Sequence, residues 1–324
     1  MRRKFETAAI LGMAAAATIA TGGVAWALQT SRAPTASDLI ANARPGQNIT
    51  LPAGTTGGLT ISNRNFSPAI TIDAAFAALT SIIIRNSSGI TIEHGTVTGP
   101  GGRSYGIHID RSRNIRIANM VVTGAHRGIV MGKSQDIAIV SNNLTGLLAE
   151  GINIAQSQRV LIERNQCSNF SPAGATYSAD GARILADGDH ADCIQAWSRP
   201  DFAPTSDVRV IGNRITGRMQ GIFFGNHERG GVNDGGYDRI VIANNAVTVT
   251  MPHGIALYEA RDGQVTNNRI ATVPGSTSPR PPYNRITAML RIVDSLRVTA
   301  CGNVVSGARG DVVGTQPCAG RPPV

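Results

Sequence analysis

Lysine is almost missing from this chain. Only Lys4 and Lys133 occur in 324 residues, so the 30 basic groups are nearly all arginine. Aromatic residues are scarce at 4%, and no lysine-rich run is interleaved with them, which argues against a nucleic-acid partner. Charged residues reach only 16% beside 42% hydrophobic residues, a balance that excludes a disordered chain. The four cysteines contain no CxxC, so neither a structural zinc site nor a dithiol redox motif is supported. Beyond the N-terminal segment no stretch is long and apolar enough to cross a membrane.

What is present begins with an export signal. Met1-Arg-Arg-Lys4 precedes an apolar or small-residue stretch from Ala8 to Ala27, which ends in the A-x-A site Ala25-Trp26-Ala27. A membrane anchor from Ala8 to Leu28 is the alternative, disfavoured because Ala, Thr and Gly dominate it rather than Leu. The expected organisation is a signal peptide over 1–27, a linker over 28–35, one domain over 36–308 and a C-terminal cap or tail over 309–324. The expected location is periplasmic or secreted, with no stable membrane insertion after cleavage. An oxidising space makes the cysteines disulfide candidates. Cys301 and Cys318 can staple a C-terminal loop, whereas Cys167 reads as a small buried hydrophobe. The formal charge of +9 suits an anionic partner without requiring one.

One pattern repeats along most of the chain. Gly106-Ile107-His108-Ile109, Gly128-Ile129-Val130-Met131 and Gly151-Ile152-Asn153-Ile154 place their first Ile 22 and 23 residues apart (129 − 107 and 152 − 129). A second apolar pair follows each: Ile115/Ile117, Ile137/Ile139, Val160/Ile162. An asparagine comes next, at Asn119, Asn143 and Asn165, before a third apolar turn. The register extends back to Leu59 and Ile82 and forward to Ile194, Ile222, Ile255 and the region from Ala288 to Leu290. Ile-x-Ile has period two, so each pair points into a shared core and the residue between points out. Leucine at fixed offsets is absent, which excludes leucine-rich repeats. The fold class expected is all-β: a right-handed parallel β-helix of about nine rungs, with stacked asparagines at one turn.

With these repeats, the stretch Ala41-Asn-Ala-Arg-Pro45-Gly46-Gln-Asn-Ile-Thr-Leu51-Pro-Ala-Gly54 resembles the opening of the pectate-lyase-like β-helix superfamily. The resemblance covers residues 36–308. It implies a short capping helix over 37–44, with Ser37 or Asp38 as N-cap, and a secreted polysaccharide-active protein. Lyases, hydrolases, epimerases and phage adhesins all share the superfamily, so the repeats specify the fold more narrowly than the activity.

Spacing between the first isoleucines widens to 42 before Ile194, 28 before Ile222 and 33 before Ile255. The extra residues fall over 172–187, 198–207 and 226–238, with a further loop over 274–285, and such insertions commonly build a cleft. Registering the rungs aligns Tyr105, Arg127, Glu150, Asp192, Gln220 and His253 in one outward column. His108, Asn153, Gln195 and Phe223 fall in a second, and Trp197 and Tyr258 in a third. At about 4.8 Å per rung, five intervals make a strip of about 24 Å, long enough for several sugars. Trp197 and Tyr258 are expected to stack on sugar faces. Glu150, Asn153, Gln195, Gln220 and His253 are expected to bind the chain between them.

The densest chemical text runs Asp187-Gly-Asp189-His190-Ala-Asp192. Three carboxylates so close repel unless something compensates. Candidates are a calcium ion on Asp187, Asp189 and Asp192, arginine from Arg183, Arg199 or Arg218, or a shared catalytic proton. A turn in which the Asp side chains cap backbone amides is the structural alternative. Asp180, His227 and Glu228 sit on adjoining loops. The catalytic set expected is Asp187, Asp189, His190, Asp192 and Arg218. The expected reaction is β-elimination on an anionic polysaccharide, with His190, Tyr258 or Arg218 as base. Hydrolysis by Glu150 and Asp192 is the second reading, and a non-catalytic glycan binder or surface structural protein is the third. The Asp-Asp pair and Gly-His-Gly of the related hydrolases are absent, as is the Lys/Arg pair of some lyases.

Overall fold

The computed structural model describes residues 35–186, 188–200, 202–225, 233, 235–276, 287–307, 312–314 and 318. The export segment over 1–27, nearly all of the linker, Asp187, His227, Glu228 and most of 309–324 lie outside them.

The Ile-x-Ile pairs stack as their period requires. Thr56–Ser62, Ala78–Arg85, Tyr105–Asp110, Arg127–Gly132, Ile152–Ala155, Asp192–Trp197, Gln220–Phe224, His253–Tyr258 and Met289–Val293 pair in parallel, each with the next. These nine strands form a first face and number nine coils. A second parallel face runs from Asn48–Thr50 to Thr299–Cys301, and a third from Thr96–Thr98 to Val304–Ser306. The chain is thus a right-handed parallel β-helix. Successive first isoleucines are register partners: Ile107, Ile129, Ile152, Ile194, Ile222 and Ile255. The expected interior residues Ile109, Ile117, Ile154, Ile162, Val210 and Ile242 are all buried, each contributing about 1.5–3 kcal/mol of transfer free energy.

The glycine before the first isoleucine has a packing reason. A Cβ on Gly128 would stand 2.5 Å from the Gly151 carbonyl, and one on Gly221 would stand 2.0 Å from that of Gly254. Coil six carries Cys193 at this place, and the side chain is accommodated by a disulfide to Cys167. Cys167 is therefore not the isolated buried thiol expected. Cys301 and Cys318 form the second disulfide.

Polar groups line two turns. Asn142, Asn165, Asn213, Asn245, Asn268 and Asn303 stack in a buried ladder, each side-chain oxygen accepting from the backbone amide of the coil before. Asn165 joins as expected, but Asn119 and Asn143 do not. Asn119 takes a left-handed turn conformation, φ 53°, and Asn143 begins a strand. A second column is wholly exterior. Asp136, Arg159, Asp207, Arg239, Asp262 and Arg297 follow one another coil by coil, all with φ between 54° and 58°. The acid and base alternate, and Arg159–Asp136, Arg239–Asp207 and Arg297–Asp262 are ion pairs.

The core is closed at its first coil by the helix Ala36–Ala41, which buries Ile40. Its N-cap is Thr35 rather than Ser37 or Asp38, because Asp38 completes a capping box by accepting from the Thr35 amide at 2.9 Å. At the other end Val312–Gly314 pairs antiparallel with Val304–Ser306, covering an edge that would otherwise offer free backbone groups.

Candidate functional site

Between coils five and six the chain leaves the helix through residues 172–190. Thr176–Tyr177 and Ile184–Ala186 pair as an antiparallel ribbon within this insertion. Asp189 ties its end down. The Asp189 amide donates to the Ala173 carbonyl at 2.9 Å, and its Oδ2 accepts from the Ala173 amide at 3.2 Å. Its Oδ1 lies 3.2 Å from Nε2 of His126, the residue entering coil four. The insertion therefore reaches back across two coils. Its base meets later turns around a pocket of 480 Å³ lined by Ala173, Asp189, His190, Arg218 and Met251 among others. Of the catalytic set expected, Asp189, His190 and Arg218 come together here.

Asp192 does not join them. It stands on the first face, with Gln220 as its register partner. The column expected as an open strip is in register but closed over coils five and six. Glu150 is 7% exposed, Asn153 7%, Asp192 1% and Gln195 4%. These side chains bond to one another and to Arg127 and Trp197 instead of facing open solvent.

Inside this closed stretch the polar groups are connected. Arg127 Nε donates to Glu150 Oε2. Gln195 Nε2 donates to Asp192 Oδ2 at 2.8 Å, and Gln195 Oε1 accepts from Asn153 Nδ2 at 2.7 Å and from Trp197 Nε1 at 2.6 Å. Burial, and after it the Glu150 carboxylate one coil away, push the Asp192 carboxyl well above the carboxylate range, although Gln195 acts in the opposite sense. Three buried atoms on consecutive coils have no hydrogen-bond partner: Asp192 Oδ1, Gln220 Oε1 and His253 Nδ1.

The column opens from coil seven onward, where an aromatic platform stands beside it. Phe223 is its centre, with ring centroids 6.3 Å from Trp197, 5.9 Å from Tyr258 and 5.1 Å from His253. Arg291 of coil nine lies 5.8 Å over the Tyr258 ring. All four rings are half-buried, so each keeps some surface for a ligand. Burial, and then the Arg291 charge, hold His253 below the ordinary histidine value, so its imidazole is neutral at neutral pH. Phe223, Arg291, Arg127 and His126 were not singled out as site residues in the sequence. Phe223 had its column position as a signal. The His126–Asp189 contact spans 63 residues and had none.

The calcium set needed Asp187, Asp189 and Asp192 together. Asp187 lies outside the described residues, and the other two have separate protein partners. Among the described residues no group of three or more His, Cys, Asp or Glu side chains is placed to hold a metal ion.

A family model described as periplasmic copper-binding protein (NosD) matches residues 40–187, which is less than half of the chain. The match agrees with the periplasmic or secreted location read from the N-terminus. All four cysteines are in disulfides, and so the described residues offer copper neither a free thiolate nor a group of three His, Asp or Glu side chains. No curated protein matches. Among solved structures the chain is similar to the Dettilon tailspike protein (12% identity, TM-score 0.46, 84% of this chain and 61% of that one). It is also similar to the alginate lyase AlyF-OU02 (14%, 0.46, 80% and 60%) and to the pectate lyase Bsp165PelA from Bacillus sp. N165 (11%, 0.39, 83% and 89%). The chain spans about three fifths of the first two proteins. Its own strand pairing makes the fold a parallel β-helix.

Proposed function

We propose that this chain cleaves an acidic polysaccharide by β-elimination on the open half of its first face. The observation that carries the reading is the run Asp192, Gln220, His253. It holds three polar atoms without partners on consecutive coils, beside an aromatic platform, with the carboxyl pushed upward by burial and the imidazole held below its ordinary value. Elimination needs a neutral base at the carbon next to the uronate carboxyl, together with groups that offset that carboxyl's charge. His253 takes the carbon-bound proton, and the electron pair left behind forms the ring double bond as the glycosidic C–O bond breaks. The Tyr258 hydroxyl, on the same strand as His253, supplies a proton to the departing oxygen. Arg291 and Gln220 face the carboxylate, and the sugar rings lie on Trp197 and Phe223. Asp192 is sealed from solvent, so its role is positioning: through Gln195 it fixes the Trp197 indole.

Hydrolysis by Glu150 and Asp192 is the second reading, favoured by the influence of the Glu150 charge on Asp192. It is weakened by the burial of both and by the hold of Arg127 on Glu150. The test is incubation of the purified protein with acidic and neutral polysaccharides while following the ultraviolet absorbance of an unsaturated uronate. Elimination predicts absorbance that His253→Ala lowers by about a hundredfold or more. New reducing ends without absorbance would replace it with hydrolysis, and binding without cleavage would leave a glycan-binding protein.

A further inference from the structure

The first face carries another concavity, over coils two and three, outside the group of residues assigned to cleavage. A pocket of 380 Å³ is lined there by Ser81, Arg85, Ser104, Tyr105 and His108 among others. In register Arg85 stands beside Asp110 of the next coil, where an ion pair between them would be the ordinary outcome. The Asp110 carboxylate instead meets Arg111 at 2.8 Å, and Arg85 makes no ion pair among the described residues. Ser104 Oγ is enclosed and has no hydrogen-bond partner. Tyr105 is 38% exposed, and its ring meets His108 edge-on at 5.4 Å. Burial, and then Arg85, keep that histidine neutral, so it adds no second cation.

A cation without a counter-ion, a hydroxyl without a partner and an exposed aromatic face together complement one kind of ligand. That ligand is a ring with an apolar face, hydroxyl groups and a carboxylate. We infer that the pocket over coils two and three binds an acidic sugar unit, with Arg85 on the carboxylate, Tyr105 under the ring and Ser104 on a hydroxyl. The ligand class rests on the reading of this face as a surface for an acidic polysaccharide, but the site itself does not require that the chain be cut. Tyr105 and Trp197 stand three coils apart, about 14 Å, so one oligosaccharide of several units can occupy both places and gain from the linkage.

Calorimetric titration of the full chain with hexamers of galacturonate and mannuronate, and with neutral maltohexaose, tests this. Arg85 is exposed, so Arg85→Gln is expected to keep the wild-type circular dichroism spectrum and Tm. Binding of at least one uronate hexamer is expected to weaken about tenfold in Arg85→Gln and in Ser104→Ala, with maltohexaose binding unaffected. Wild-type affinity for both uronates in both variants would overturn the site, as would no binding of either hexamer to the wild-type protein. Cleavage is read separately. Arg85-dependent binding without cleavage removes the lyase reading alone, and cleavage with Arg85-independent binding removes this site alone.

Discussion

Ionising Asp192 would place a charge where water has no access and where the Glu150 carboxylate already stands one coil away. The folded chain therefore binds this proton more tightly than the unfolded chain, whose reference value is 3.8. The stability linked to it is complete below that value and is lost as the pH rises through the folded-state value. Asp192→Asn, neutral and of similar shape, escapes the loss. Its Tm is expected to match the wild type below pH 3.8 and to exceed it increasingly at higher pH, which calorimetry across the range will show. His253 works in the opposite direction. Its value is depressed from 6.5, first by burial and then by Arg291, so its contribution to stability is present above 6.5 and is lost as the pH falls below it. If the neutral imidazole is the base, the acid limb of kcat/KM lies below 6.5. Arg291→Gln should then move that limb partway up, because burial, the larger cause, remains. An unmoved limb would take the base role away from His253.

Among elements, the asparagine ladder is the clearest case of a sequence signal that needs the structure to resolve it. Asn142 Oδ1 accepts from the Met120 amide at 3.0 Å, and its Nδ2 donates to the Ile117 carbonyl at 3.0 Å and to Asn165 Oδ1 at 2.9 Å. Asn142→Ala leaves these buried groups without partners and is expected to cost about 3 kcal/mol or more in denaturant titration. Asn143→Ala, one residue on, should stay within about 0.5 kcal/mol. Period-two isoleucines exposed the coils and their register in the sequence because a one-residue slip would turn every side chain out of the core. An Asn-Asn pair carries no such penalty on paper, so at coil four the residue read as the ladder member, Asn143, stands one past the true one, Asn142. The same distinction applies to the site. The columns through Glu150, Asp192, Gln220 and His253 were legible because register alone sets them. Their exposure was not, because it depends on side-chain bonds between coils, such as Arg127 to Glu150 and Asn153 to Gln195, that register does not specify.

For the whole molecule, the exterior column from Asp136 to Arg297 imposes a rule of parity on how such a solenoid can change length. Acid and base alternate coil by coil, so the neighbour of every charge is of opposite sign. Each exposed pair contributes little by itself and is screened by salt. Duplicating the 23-residue stretch from 137 to 159, which separates Asp136 from Arg159 and ends on it, would set two guanidinium groups on successive coils. Duplicating the Asp136 and Arg159 coils together would preserve the alternation. The single duplication is expected to show a Tm deficit that added salt relieves, and the double duplication none, as melting curves at low and high salt will reveal. If both respond to salt alike, the alternation is ornamental. If they differ, growth of this solenoid by one coil meets a penalty that growth by two does not, and an even step is the unit in which its length can be inherited.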